Sequence, residues 1–284
     1  MALHFCVLGS GSAGNASFLR TEDFGLLIDM GLGPRQLSYR LSSAGANWTH
    51  VQAVLLTHTH TDHWNIRTLA HLKRHRIPIY CHADHEQSLA IGGSFDALQK
   101  QGLVRRYKAL ADFALAPGLH CRPVPLRHDS GATFGFRFEA GPDLFGQTAS
   151  LGYAADLGCW DELLVEHLAD VDALALEFNH DVDMQHASGR HPLLIERVLG
   201  DEGHLSNAQA AELLRAILSR SAAGRLQHLV QLHLSRECNT PALARLSARA
   251  VLAEEIEVHT ARQDQPGPWL KLGERKNTAT DEHG

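Results

Sequence analysis

Thiols are scarce in this chain. Its 284 residues include five cysteines, Cys6, Cys81, Cys121, Cys159 and Cys238. They lie far apart with no Cys-x-x-Cys pair, which argues against a thiolate zinc site or a disulfide framework and fits a reducing cytoplasm. Long apolar runs are missing as well. None approaches 18 residues, and Met1-Ala2-Leu3-His4-Phe5 has no basic segment ahead of its apolar stretch. Neither a membrane span nor a secretory signal is expected. Positive charge is in deficit, with 26 Lys and Arg against 32 Asp and Glu and a formal net charge of −6. A nucleic-acid partner would therefore need a local basic patch rather than a global field. Low-complexity linkers are lacking too. With 44% hydrophobic residues the chain can bury one large core. One domain is expected over residues 1–272, with 273–284 as a polar, flexible tail.

Histidine is what the chain has in abundance, 20 residues in all. Four potential metal ligands occupy six positions in His58-Thr59-His60-Thr61-Asp62-His63. This hexapeptide follows the apolar run Val51 to Leu56, which reads as a buried strand. His58 and His60, two apart, can face one side of the loop, and Asp62 and His63 the other. Such a loop can feed two metal ions. Imidazole and carboxylate donors without a thiolate suit Zn, Mn or Fe at a hydrolytic site.

The surrounding pattern alternates strands and helices. Strands are expected at Leu3 to Leu8, Ala16 to Leu19, Gly25 to Ile28, Val51 to Leu56 and Ile77 to Cys81. Pro78 suggests that the last of these is an edge strand or begins at that residue. Helices are expected at Pro34 to Ala44, Trp64 to Arg76 and His85 to Gln101. In the second half, strands are expected at Cys121 to Leu126, Thr133 to Glu139, Ser150 to Ala155, Ala173 to Glu177 and Leu226 to Leu232. Helices are expected at Asp161 to Leu168, Leu193 to Leu199, Asn207 to Ser219 with Asn207 at or near its cap, and Pro241 to Ala253. A polar, histidine-rich loop fills the space up to His191. Ile256 to Ala261 and Trp269 to Leu272 read as a terminal hairpin across Pro266-Gly267-Pro268.

Several of these strands end on a metal-capable residue: Leu56 before His58, Leu126 before His128, Ala155 before Asp156, and Leu232 before His233. Sheet enzymes collect functional groups in this way from distant parts of the sequence.

The order Asp29, His58/His60/Asp62/His63, His128, Asp156, His233 resembles that of the metallo-β-lactamase superfamily over nearly the whole chain. The resemblance implies an α+β fold, an αββα sandwich of two mixed β-sheets flanked by helices, with a dinuclear site at one edge. It implies two divalent metal ions (Zn, Mn or Fe). His58, His60 and His128 would hold the first and Asp62, His63 and His233 the second, with Asp156 bridging both. Asp29 would hold a ligand histidine or the loop backbone in place. A carboxylate at 156 departs from the lactamase branch, which uses a thiolate there, and Cys159 comes three residues too late to replace it. The full His/Asp set resembles the phosphodiesterase, nuclease and glyoxalase branches. A metal-bridging hydroxide suits phosphodiester hydrolysis.

Four further stretches narrow the resemblance. Leu8-Gly9-Ser10-Gly11-Ser12-Ala13-Gly14-Asn15, Glu177-Phe178-Asn179-His180-Asp181, Gly203-His204-Leu205-Ser206-Asn207 and Leu232-His233-Leu234-Ser235 with Asn239 resemble the YycJ/WalJ-like subfamily of bacterial nucleases. The resemblance implies a 5′-to-3′ DNA exonuclease, with DNA favoured over RNA as substrate. The glycine-rich stretch is not a P-loop, since no Gly-Lys-Ser/Thr follows. It is a tight turn or a support for Asn15 near the site. His180 and His204, outside the ligand set, are expected with Asp62 among the catalytic groups, contacting substrate or protonating the leaving oxygen. His71 and His75 read as an exposed helix face. Lys73-Arg74-His75-Arg76 and Arg105-Arg106-Tyr107-Lys108 are solvated faces unless they flank the site, where they would contact phosphates. The alternative is a small-molecule metallo-hydrolase, a cyclic phosphodiesterase or glyoxalase-type thioesterase, with the same ligands. The oligomer would be a monomer or a homodimer.

Overall fold

The structure, a computed structural model, describes residues 2–142, 146 and 148–273. The tail expected from 273 onward therefore lies, apart from Gly273, outside the described residues. The strands in chain order are β1 (Leu3–Gly9), β2 (Ala16–Arg20), β3 (Gly25–Ile28), β4 (Ala53–Leu55), β5 (Ile79–Cys81), β6 (Val104–Arg106), β7 (Phe113–Ala116), β8 (Leu119–Leu126), β9 (Thr133–Ala140), β10 (Ala149–Ala154), β11 (Ala173–Glu177), β12 (His228–Leu232), β13 (Glu257–Thr260) and β14 (Leu270–Leu272). The helices are α1 (Pro34–Ser43), α2 (Ile66–His75), α3 (Glu86–Leu89), α4 (Ser94–Lys100), α5 (Glu162–Leu168), α6 (Val182–Ala187), α7 (Pro192–Leu199), α8 (Asn207–Ser219) and α9 (Pro241–Arg249).

Two mixed sheets result, ordered β14-β1-β2-β3-β4-β5-β6 and β13-β12-β11-β10-β9-β8-β7. Strand residues alternate between faces, and in β4, β11 and β12 both faces are covered. In β4, Leu55 enters the layer between the sheets with Phe5, Phe136 and Tyr153, while Val54 faces outward among Leu41 of α1, Leu69 of α2 and Leu98 of α4. On the other sheet, Leu174 and Leu229 point outward against Leu168 of α5, Leu214 of α8 and Ala244 of α9. Burial on both sides is why these strands read as unbroken apolar runs. The expected αββα sandwich is the fold observed.

Local departures have local causes. The helix expected over His85 to Gln101 is broken into α3 and α4, because Gly92 and Gly93 both take left-handed backbone (φ 81° and 70°) that ends a helix. Asn207 is the first residue of α8, and the cap is Ser206. Its Oγ accepts from the Gln209 backbone N–H, and the Gln209 side chain accepts from the Ser206 N–H. Of the two positions expected for Pro78 it takes the entry one, directly before β5, which lies inside its sheet. It has no N–H to pair, but its carbonyl accepts from Val54 N–H at 2.9 Å. α6 occupies part of the expected histidine-rich loop, and β6 and β7 were not legible as strands.

The terminal hairpin is the main correction. β13 joins the second sheet parallel to β12, and β14 joins the first sheet antiparallel to β1. Each segment completes an open strand edge in a different sheet.

Candidate metal centre

One edge of the sandwich collects the chemistry. β3 and β4 are parallel, as are β10, β11 and β12. β8 runs with β10, since both are antiparallel to β9. Asp29, the 58–63 loop, His128, Asp156, Glu177 and His233 therefore all lie at C-terminal strand ends. Three of them hold left-handed backbone: Asp29 (φ 62°), Asp156 (φ 59°) and His233 (φ 55°). Such a conformation is uncommon outside glycine and costs about 1 kcal/mol or more per residue. At these positions it stops the strand abruptly where the donor is needed.

The first group of donors is His58, His60 and His128, with ligand atoms within 4.8 Å of one another. His58 Nδ1 meets Thr57 Oγ1 at 2.9 Å, and its Nε2 is buried without a hydrogen bond. His128 Nδ1–H donates to the Gly203 carbonyl (2.9 Å), leaving Nε2 as the donor, 3.2 Å from His60 Nδ1. The second group is Asp62, His63 and His233. His63 Nδ1–H donates to Asp29 Oδ2 at 2.7 Å, so Nε2 faces the site. His233 Nε2 is 3.3 Å from Asp62 Oδ2.

Asp156 lies between the groups. Its Oδ2 is 2.5 Å from His63 Nε2 and 3.8 Å from His58 Nε2, and its Oδ1 is 2.9 Å from His233 Nδ1. Thr57 and Asn15 brace the loop. Asp29 accepts from the Thr57 N–H (2.8 Å). Asn15 donates its backbone N–H to the Asp62 carbonyl (2.7 Å), and its Nδ2 lies 2.8 Å from His63 Nε2.

Electrostatics and donor chemistry both fit a divalent cation. Asp29, Asp62, Asp156 and Glu177 crowd the site, three of them fully buried. Burial alone would pull His63 down, but Asp156 and Asp29 beside it push it up to about 10. Burial likewise opposes charge on Asp156, yet His233 and His63 hold its carboxyl well below the usual range. Buried carboxylates in excess demand positive charge. Cys159 is not among the donors. Its Sγ lies 3.5 Å from the Arg127 guanidinium.

Glu177 has no assigned role in the sequence reading. It is fully buried, accepts from the Leu157 and Leu205 N–H groups (3.1 and 3.2 Å), and reaches His204 Nδ1 at 2.8 Å and His233 Nδ1 at 3.1 Å. Burial raises its carboxyl, but the His204 charge and bonds from His204 and His233 bring it to about 2. Its signal was available, because it ends an apolar strand as the recognised ligands do. His204 joins the site, with Nδ1 3.3 Å from Asp156 Oδ1 and its side chain 20% exposed. His180 stays outside the donor groups. Its ring is fully buried, and neither nitrogen has a hydrogen-bond partner among the described residues. A phosphate arriving from solvent does not reach it in this conformation. His71 is half-buried against Trp48, and His191 caps α7 through Nδ1. Beside His128, a cavity of about 460 Å³ is lined by Arg127, Asp129, Arg197, Gly200, Asp201 and Glu202.

This fold and donor set define a metal-dependent hydrolase. The chain belongs to the family described as the beta-lactamase superfamily domain, whose model matches residues 25–224. It is 28% identical over 276 residues to "Exodeoxyribonuclease YycJ" of Bacillus anthracis, covering 94% of this chain and 98% of that one. It is 27% identical over 280 residues to "Exodeoxyribonuclease WalJ" of Streptococcus pneumoniae (strain ATCC BAA-255 / R6), covering 94% and 97%. Among solved structures it is similar to the metallo-beta-lactamase fold protein YhfI of Bacillus subtilis, with a TM-score of 0.67 at 18% identity, covering 95% of this chain and 100% of the other. Among the described residues, no helix is long and apolar enough to cross a membrane.

Proposed function

We propose that this chain is a divalent-metal-dependent phosphodiesterase that degrades DNA 5′-to-3′, and that residues 1–272 act as one domain. The observation that carries the reading is Asp156, a buried carboxylate within 4 Å of His58, His63 and His233 at once. That placement supports two ions (Zn, Mn or Fe), one on His58, His60 and His128, the other on Asp62, His63 and His233, with Asp156 shared. The names of the two curated relatives support DNA as substrate. When bound, the ions would activate water and withdraw charge from phosphate oxygens.

The chain's own residues do the rest. Glu177 orients His204, whose second ring nitrogen is then available to hold a phosphate oxygen or protonate the leaving oxygen. Arg127 and Arg197, at the cavity beside His128, are suited to the flanking phosphates. Asp62 supplies a ligand oxygen and restrains His233. His180 is assigned a supporting position inside the wall rather than a substrate contact.

The test is digestion of 5′-labelled and 3′-labelled duplexes by metal-stripped protein with Mn or Zn restored, beside Asp156→Asn. Metal-dependent release of mononucleotides from the 5′ end, absent in the variant, is expected. The net charge of −6, with Asp201 and Glu202 lining the cavity, favours a second reading, a small-molecule metallo-hydrolase. Turnover of a cyclic phosphodiester or thioester with no cleavage of any nucleic acid would establish that reading and sink the first.

A further inference from the structure

Away from this centre, three donors converge on the outer edge of the second sheet. β12 and β13 run parallel, with His228 opposite Glu257 and Val230 opposite His259. Glu257 and His259 are two apart and so share a face of β13. Oε2 of Glu257 is 3.5 Å from Nδ1 of His228 and 3.5 Å from Nε2 of His259. The imidazole centroids are 5.7 Å apart, and the three ligand atoms lie within 4.8 Å of one another. His259 Nε2 is shielded from water and makes no hydrogen bond among the described residues. In a tetrahedral zinc site, bonds of about 2.0–2.2 Å place neighbouring donors roughly 3.3–3.6 Å apart. The spacing from Glu257 to each imidazole matches that edge length.

We propose that His228, Glu257 and His259 form a separate site for a transition-metal cation of the zinc class, tying edge strand β13 to β12. Two imidazoles and a carboxylate suit zinc, cobalt or nickel better than calcium or magnesium, which prefer all-oxygen shells. Ligation needs a neutral imidazole. Burial, followed by the neighbouring His228, pulls His259 below its ordinary value, outweighing the opposing influence of Glu257. The Glu257 side chain is 47% exposed, which gives a cation access from solvent. β13 is the terminal strand of its sheet and has one paired neighbour among the described residues. A cation held by both strands would cross-link that edge, where a lone strand frays most readily. The proposal does not depend on the substrate of the main centre.

Zinc bound per chain, by equilibrium dialysis and metal analysis, tests it in the full chain and in His228→Gln/His259→Gln. The double variant is expected to bind one equivalent fewer, and the difference is expected to persist when both carry Asp156→Asn. Equal zinc in the two proteins would overturn the site. So would a difference that disappears in the Asp156→Asn background, which would assign the lost ion to the main centre. If the double variant loses its circular-dichroism spectrum, Glu257→Gln replaces it. There, in the Asp156→Asn background, one equivalent of zinc is expected to bind at least ~10-fold more weakly, and a titration unchanged by the substitution would overturn the proposal.

Discussion

Asp29 Oδ2 sits 2.7 Å from Nδ1 of His63, with both side chains fully buried. The bond crosses from the end of β3 to the loop after β4, and it decides which imidazole nitrogen faces the site. Asp29 also accepts from the Thr57 N–H and hydroxyl, so one carboxylate orients both the loop and its histidine. Asp29→Asn keeps the volume but replaces one acceptor oxygen with an N–H₂ that can face Nδ1. Loss of such outer partners weakens metal affinity by about 10–100-fold. A zinc or manganese titration of the variant is expected to show that loss with circular dichroism unchanged, and wild-type affinity would show that Asp29 does not position the ligands.

Gly31 makes a steric prediction. A Cβ there would overlap the carbonyl of Asp62 and crowd the Asn15 backbone nitrogen. Asn15 N–H donates to that same carbonyl, so the 58–63 loop is set against this glycine. Gly31→Ala is expected to displace Asp62 and cut metal affinity at least ~10-fold, because ligands misplaced by a few tenths of an ångström bind poorly. The variant's Tm with and without zinc reads this directly: the zinc-induced rise should shrink. A full-sized rise would show that the loop accommodates the methyl.

Glu177→Gln separates positioning from ligation. The carboxylate is the leading influence that raises His204, pushed up to about 9 against the pull of burial. Removing its charge lowers the His204 pKa while keeping a side chain that can still bond. Activity is expected to fall by about 10–100-fold, with the His204-dependent limb of the pH profile moving to lower pH. A fall in activity with no change in the profile would confine Glu177 to a structural role.

Acid sensitivity is predicted away from the candidate metal centre. His85 Nε2–H donates to the Ala132 carbonyl at 2.8 Å, and Nδ1 accepts from the His82 N–H at 3.2 Å. Protonation would aim a second N–H at that donor. Burial brings His85 down to about 4. A folded value below the unfolded one (about 6.5) means that the unfolded chain binds the extra proton first. The neutral ring's contribution is complete above pH 6.5 and declines as pH falls toward 4, by roughly 3 kcal/mol at most. His85→Gln should flatten the Tm-versus-pH curve between pH 6.5 and 4, and an unchanged slope would place the titration elsewhere.

Much of the centre was legible because its ligands obey a local rule. An apolar run ending on His or Asp marks the place where a doubly covered strand leaves the core, and His58, Asp156 and His233 meet it, while His128 follows β8, which alternates buried and exposed residues. Glu177 meets it too, but a carboxylate closing a strand is common, and only its bonds to His204 and His233 give it a role. His180 follows the same pattern in a loop and ends up buried. Sequence spacing does not say which loops turn inward.

Ligand types, their order and the covered strands were determined by the sequence alone, since side-chain chemistry and the period of 2 are local properties. Pairing was not. β13 and β14 sit close in sequence yet complete opposite sheets, because partners are chosen by which strand edges remain open once the sandwich assembles. The same assembly places Asp29 against His63, gathers strand ends from residues 29 to 233 into one site, and sets His228 beside Glu257 and His259. Those contacts depend on packing between distant segments, which no window of the sequence contains.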